Sequence, residues 1–261
     1  MSLTLDMSQN KPWFDVKRLA EGLYSIGEFA YDEKVISFLL VGLEDAVLID
    51  TGMGLFDIQK IVSEITPLPC SVLNTHSHFD HVGDNFRFEQ VSLFDHPENH
   101  QIAAHGFSER SLAKWFVAEK FVGEPPADLP QSYRIPTFPQ ADFFADGTVL
   151  KRASFTLVAL HTPGHAEGEV CFFEPTRGWL FAGDLLYEGP IYIEKVGGLA
   201  DYRASIEKIS RLSVSRIFAS HNAPEFPLEK LELIKNALAK LETVELETEL
   251  ALGGSLSLVP Y

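Results

Sequence analysis

The chain has 261 residues, with 37 acidic against 21 basic side chains, a formal net charge of −16 and 46% hydrophobic content. That balance suits a soluble globular protein with a substantial core, and it excludes a nucleic-acid partner, which needs a basic footprint that no Lys/Arg cluster here supplies. Cys70 and Cys171 are too few for a disulfide framework, and no apolar run reaches the ~18 residues of a membrane span.

In chain order, Gly22–Ile26, Val35–Val41 and Ala46–Asp50 read as strands of a β-meander, with turn residues at Gly42–Asp45. Asp50-Thr51-Gly52-Met53-Gly54 closes the third strand, and Phe56 to Ile65 has helical apolar spacing. The short strand Ser71–Leu73 then runs into Thr75-His76-Ser77-His78-Phe79-Asp80-His81-Val82-Gly83. Val91–Phe94 is another short strand. Residues 98–122 read as helical, and the prolines through Pro139 as irregular chain, so 98–139 is expected to be a helical insertion over the His-rich loop. Strands follow at Gly147–Leu150, Phe155–Leu160, Glu169–Phe173 and Gly178–Ala182, then a helix from Leu199 to Leu212 and a strand Ser215–Ala219 ending in Ser220-His221. A last amphipathic helix is expected from Leu228 to about Glu249, and the tail through Gly253-Gly254 carries no signal. Met1 to Trp13 lacks a basic start followed by an apolar run, so a cytoplasmic protein with one domain over 1–261 is the expectation.

Three imidazoles and a carboxylate within six residues are costly in a structural loop, and they are the donors that suit zinc and other borderline divalent metals. In extended chain His76 and His78 point to one side, and the chain must turn to present Asp80 and His81 elsewhere, so one loop offers donors to two neighbouring ions. His165, Asp184 and His221 each sit at a strand-to-loop junction. Two mixed sheets packed face to face with helices outside bring such junctions to one edge. His96, His100, His105 and His161 lack that placement and read as capping or surface histidines. Glu167 and Glu169 read as a turn and a strand start.

His76-Ser77-His78-Phe79-Asp80-His81, Thr162-Pro163-Gly164-His165, Gly183-Asp184 and Ser220-His221 resemble, in order, the motifs of the metallo-β-lactamase superfamily over roughly residues 20 to 225. The resemblance implies an α/β fold, an αββα sandwich with its site at the sheet edge. It implies one ion on His76, His78 and His165, a second on Asp80, His81 and His221, Asp184 bridging, and Asp50 orienting a ligand from behind. Two divalent ions are the implied cofactors, zinc first, with iron or manganese compatible. Ions about 3.5–4 Å apart share a hydroxide available at neutral pH, and the locally positive pocket admits a polarised carbonyl substrate. Asp80 is a candidate to orient that hydroxide or take its proton, and Tyr187, with Tyr192 or Asn222 as substitutes, to hydrogen-bond a developing oxyanion.

A looser likeness, in Phe79 through Phe88, the insertion after His96 and Gly183–Gly189 leading to Asp201-Tyr202, is to the acyl-CoA thioesterase-like and hydroxyacylglutathione hydrolase-like branch. It implies hydrolysis of a small-molecule acyl thioester, with Trp115, Phe116 and Phe121 either covering an acyl group or docking the insertion. Alternatives are a lactonase of the acyl-homoserine type, a mononuclear iron persulfide dioxygenase, and a metal-bearing protein without turnover. The sequence sets no oligomeric state.

Overall fold

The computed structural model describes residues 13–241 and 245–261. The expectation of a chain start without a leader therefore lies, Trp13 aside, outside the described residues. In chain order the elements are β1 (Asp15–Ala20), β2 (Leu23–Gly27), β3 (Ile36–Val41), β4 (Ala46–Ile49), α1 (Ile58–Ile65), β5 (Cys70–Leu73), β6 (Val91–Phe94), α2 (Pro97–His105), α3 (Glu109–Leu112) and β7 (Asp142–Phe144). There follow β8 (Val149–Arg152), β9 (Phe155–His161), β10 (Val170–Glu174), β11 (Trp179–Phe181), β12 (Pro190–Ile193), α4 (Gly198–Ile209), β13 (Arg216–Phe218), β14 (Glu225–Phe226), α5 (Leu228–Leu238), β15 (Leu250–Gly253) and β16 (Leu256–Pro260).

The first sheet runs β1-β2-β3-β4-β5-β6-β7, antiparallel as far as β4 and parallel from there. The second runs β14-β13-β11-β10-β9-β8, with β11 and β13 parallel. Central strands of both are buried on both faces, and their side chains divide by the period-2 rule. Phe38, Leu40, Val47 and Ile49 of the first sheet meet Phe172, Phe181 and Phe218 of the second in the inner core. Leu39 and Leu48, the alternate positions, face outward onto Ile58 and Val62 of α1. Cys171 and Leu180 face the other way, onto Leu199 and Ile206 of α4 and Ile234 of α5. The order of layers is thus helix, sheet, sheet, helix. Asp57 caps α1 by accepting from Lys60 N at 3.3 Å, and Thr66 ends the helix in extended conformation before Pro67.

Two expectations need correction. The stretch 98–122 is not one helix: α2 ends at Gly106, where φ is +63° and a Cβ would lie 2.2 Å from the Ile135 carbonyl oxygen, and Ser108 caps the separate short helix α3. The last helix stops at Leu238 instead of near Glu249, its expected course crossing residues 242–244, which lie outside the described residues. The tail that carried no signal is the hairpin β15–β16, and β16 pairs parallel with β12 in a third sheet, ordered β12-β16-β15. Its partner lies more than sixty residues upstream, beyond the range of local sequence pattern.

Candidate metal centre

The loops after β4, β5, β9, β11 and β13 open on one edge of the sandwich and carry Asp50, the His-rich loop, His165, Asp184 and His221 respectively. All these side chains are buried or nearly so. Donor atoms gather in three groups, each lying within 4.8 Å of one another: His76, His78 and His165; His76, His81 and Asp184; and Asp80, His81 and His221. The Asp184 carboxylate sits between the outer two. Its Oδ2 is 3.4 Å from His165 Nε2 and 3.0 Å from His221 Nε2, and its Oδ1 is 3.3 Å from His81 Nε2. Asp80 Oδ2 is 3.5 Å from His221 Nε2 and 3.7 Å from His81 Nε2.

The opposite ring nitrogens fix how each imidazole points. His81 Nδ1 lies 2.9 Å from Asp50 Oδ2, His165 Nδ1 2.8 Å from the Tyr192 carbonyl and His221 Nδ1 2.6 Å from the Glu33 carbonyl. Each of these acceptors requires a proton on Nδ1, which leaves the Nε2 lone pair turned inward. Thr75 Oγ1 donates to Asp50 Oδ2 at 2.8 Å and is therefore free to accept from His76 Nδ1 at 3.1 Å. His78 instead presents Nδ1, 2.9 Å from His165 Nε2. Asp50, wholly buried and at a φ of +60°, also accepts from Thr75 N at 2.8 Å.

His76 Nε2, His81 Nε2 and Asp184 Oδ1 are buried without a hydrogen-bond partner. Orphaned donors of this kind are costly unless something else satisfies them. Ligands about 2.0–2.1 Å from a tetrahedral zinc stand roughly 3.3 Å apart, close to the spacings seen here, so the donor set fits divalent ions. Burial, aided by neighbouring imidazoles, lowers the pKa of His76 and His78, and burial also lowers His165, so these three are held neutral, the form that binds metal. Burial works against the proton on His81 and His221 too, but the facing carboxylates, Asp184 first, push both up, His221 to about 9. Burial raises Asp80 to about 6 against the pull of His81 and His221. Burial opposes charge on Asp184 as well, yet His221, His81 and His165 hold it well below the usual carboxylate range.

Tyr187 packs its ring, tilted, 5.2 Å from His221, and its hydroxyl oxygen accepts from Tyr192 N at 3.2 Å, leaving its proton for another acceptor. The Tyr192 side chain is exposed, and Asn222 Nδ2 donates to the Glu188 carbonyl at 2.7 Å. His96 precedes α2, His100 lies 2.7 Å from Asp95, His105 ends α2, and His161 stacks on Phe94 at 4.4 Å. Trp115 stacks on Phe79 of the His-rich loop at 5.2 Å, while Phe116 and Phe121 pack on Tyr133 and Tyr31.

Sequence reasoning passed over three residues. Glu169 does precede β10, but it is wholly buried, and its Oε1 accepts from Asp184 N at 2.8 Å, which sets the turn carrying that aspartate. Glu28 is a second buried acid, and its only signal was an acidic residue directly after an apolar strand. Tyr261 donates its hydroxyl to the His165 carbonyl at 2.5 Å, with its ring 5.8 Å from that imidazole.

A sandwich of two mixed sheets with an edge cluster of imidazoles and carboxylates defines a metal-binding protein of the metallo-hydrolase type. Residues 32–221 match the family model of the metallo-beta-lactamase superfamily, and the chain belongs to that superfamily. It is similar to acyl-coenzyme A thioesterase MBLAC2 of Homo sapiens, 26% identical over 217 residues that cover 77% of this chain and 76% of that one. It is also similar to hydroxyacylglutathione hydrolase GloC of Haemophilus influenzae, 27% identical over 155 residues covering 57% and 64% of the two chains. Among solved structures, a metallo-beta-lactamase family protein from Thermus thermophilus superposes with a TM-score of 0.60 at 24% identity, covering 84% of this chain and 80% of that one. A metallo-beta-lactamase from Pontibacter korlensis does so with a TM-score of 0.61 at 16% identity, covering 87% and 100%. These two likenesses show the fold. Among the described residues no helix is long and apolar enough to cross a membrane.

Proposed function

We propose that the chain is a two-metal hydrolase of acyl thioesters of the acyl-CoA type. The observation that carries this is Asp184, whose carboxylate stands between two histidine groups on the same buried edge. In this reading His76, His78 and His165 would hold one ion and Asp80, His81 and His221 the other, Asp184 would serve both groups, and Asp50 orients His81. Divalent ions held there supply a water of lowered pKa and polarise a carbonyl oxygen.

The chain's own groups do the rest. Asp80 takes or directs the proton of the attacking water, being the carboxylate beside His81 and His221 that stands outside the central bridge. Tyr187 offers its hydroxyl proton to the carbonyl oxygen as charge develops there. Water adds to the carbonyl carbon, the carbon–sulfur bond breaks, and the products are a carboxylate and a thiol. The thioester choice draws support from the relatives named as thioesterase and hydroxyacylglutathione hydrolase.

The test is metal analysis of purified protein, then turnover of a panel of acyl-CoA, acyl-glutathione and lactone substrates. About two zinc or manganese ions per chain and preferred acyl-CoA hydrolysis are expected. No hydrolysis across the panel with both sites filled overturns the reading, and one iron per chain with oxygen consumption replaces it with the oxygenase.

A further inference from the structure

The insertion forms a groove away from the histidines. Phe107 and Ile135 exchange backbone hydrogen bonds, at 2.9 and 3.0 Å, and this bridge lays segment 105–110 beside segment 134–137. Between them lies a cavity of about 610 Å³, lined among others by His105, Ser108, Arg110, Arg134 and Thr137, with Glu109 as the acid on its wall. Elsewhere in this acidic chain Arg87, Arg177, Arg211 and Arg216 are tied to carboxylates, and Arg18 and Arg152 donate to main-chain carbonyls. Among the described residues, Arg110 and Arg134 have no hydrogen-bond or carboxylate partner in the structure. Two unpaired guanidinium groups lining the same groove as two hydroxyls match phosphate oxygens in charge and in hydrogen-bonding capacity.

The groove is joined to the metal loop by aromatic residues. Trp115 follows Arg110 by five residues, in the turn that ends α3. It stacks on Phe79, and Lys114 and Lys120 stand over its ring at 4.8 and 4.6 Å. Tyr133, next to Arg134, packs its ring 6.5 Å from Phe79. Lys120 is also paired with Glu33, whereas Lys114 stands over the Trp115 ring without a carboxylate partner among the described residues.

We infer that the Arg110–Arg134 groove binds the phosphate-bearing end of the thiol carrier while its acyl thioester lies at the histidine cluster. This rests on the thioester reading. The phosphates of such a carrier are separated from the sulfur by a long flexible arm, so they fall outside the metal pocket and need a site of their own. In a chain of net charge −16, a local pair of guanidiniums is what makes that anionic end bind instead of being repelled.

The experiment compares the metal-loaded parent with the double variant Arg110→Gln/Arg134→Gln on two substrates with the same acyl group, one on coenzyme A and one on phosphate-free N-acetylcysteamine. The variant is expected to raise KM for the acyl-CoA about tenfold and leave the N-acetylcysteamine thioester unchanged. Equal effects on both substrates, or none on either, overturn the assignment. Calorimetric titration with adenosine 3′,5′-bisphosphate, the phosphate-bearing end alone, should show binding to the parent that the variant loses. If neither thioester is hydrolysed, the proposed function fails, and the groove stands or falls on that titration: loss of bisphosphate binding in the variant upholds it, and no binding to the parent overturns it.

Discussion

Replacing Glu28 by glutamine tests how the turn after β4 is held behind the site. Glu28 is 1% exposed; its Oε2 accepts from Trp13 Nε1 at 2.5 Å and its Oε1 from Met53 N at 2.9 Å. Burial raises its pKa from 4.5 to about 8, outweighing both N–H donors, with Asp84 and Asp80 adding to the rise. Between those two values the folded chain keeps a proton that the unfolded chain has released. Stability from this group is therefore greatest at low pH, falls as pH rises from about 4.5 to 8, and is level above. From pH 5 to pH 8 the loss is about 3–4 kcal/mol. Glutamine does not titrate, but its amide must point a donor at one of the two N–H groups, at a cost of about 1–3 kcal/mol. The variant should thus be the less stable protein at pH 5 and match or exceed the parent by pH 8. Denaturant unfolding of both at identical metal loading, from pH 5 to pH 8, gives the difference directly, and titrations common to both cancel. A difference that stays within about 1 kcal/mol over that range would refute the reasoning.

Asp50→Asn removes the charged acceptor of His81 Nδ1 and should weaken metal binding roughly 10–100-fold in chelator competition with the fold intact; unchanged affinity would show that Asp50 does not orient His81. Gly83→Ala would place a Cβ 2.1 Å from the Met53 carbonyl carbon and 2.3 Å from Gly54 N, so a loss of about 3 kcal/mol or more is expected in denaturant unfolding, and a loss under about 1 kcal/mol would mean the two loops separate easily. Trp115→Ala should raise KM for long-chain acyl thioesters well above its effect on short-chain ones, since the ring covers Phe79 beside the cluster; equal effects would leave Trp115 as a docking residue for the insertion.

The sandwich was legible because the short apolar runs of β3, β4, β10 and β11, each bounded by turn residues, are a local property of the chain. The convergence of seven side chains followed from their strand-end placement together with the spacing in the His-rich loop. What stayed hidden depends on distant partners. Glu28 and Glu169 look like ordinary acids until tertiary packing buries them, and the insertion looks like one helix until Gly106 meets the Ile135 carbonyl.

The groups that orient the imidazoles were hidden for a different reason. His165 and His221 are aimed by the main-chain carbonyls of Tyr192 and Glu33, and a carbonyl has no residue-type signature. Tyr192 in turn lies on β12, which is held by parallel pairing to β16, and Tyr261 just beyond β16 grips the His165 carbonyl. The hairpin near the C-terminal end thus acts on the cluster through its backbone pairing with β12 and through the Tyr261 hydroxyl on the His165 carbonyl, without contributing any side chain to the donor groups. Donor identity is written in side chains and can be read locally. The aim of His165 is set by a backbone position on the third sheet, so weakening the β12–β16 pairing should disturb His165 before any other member of the cluster.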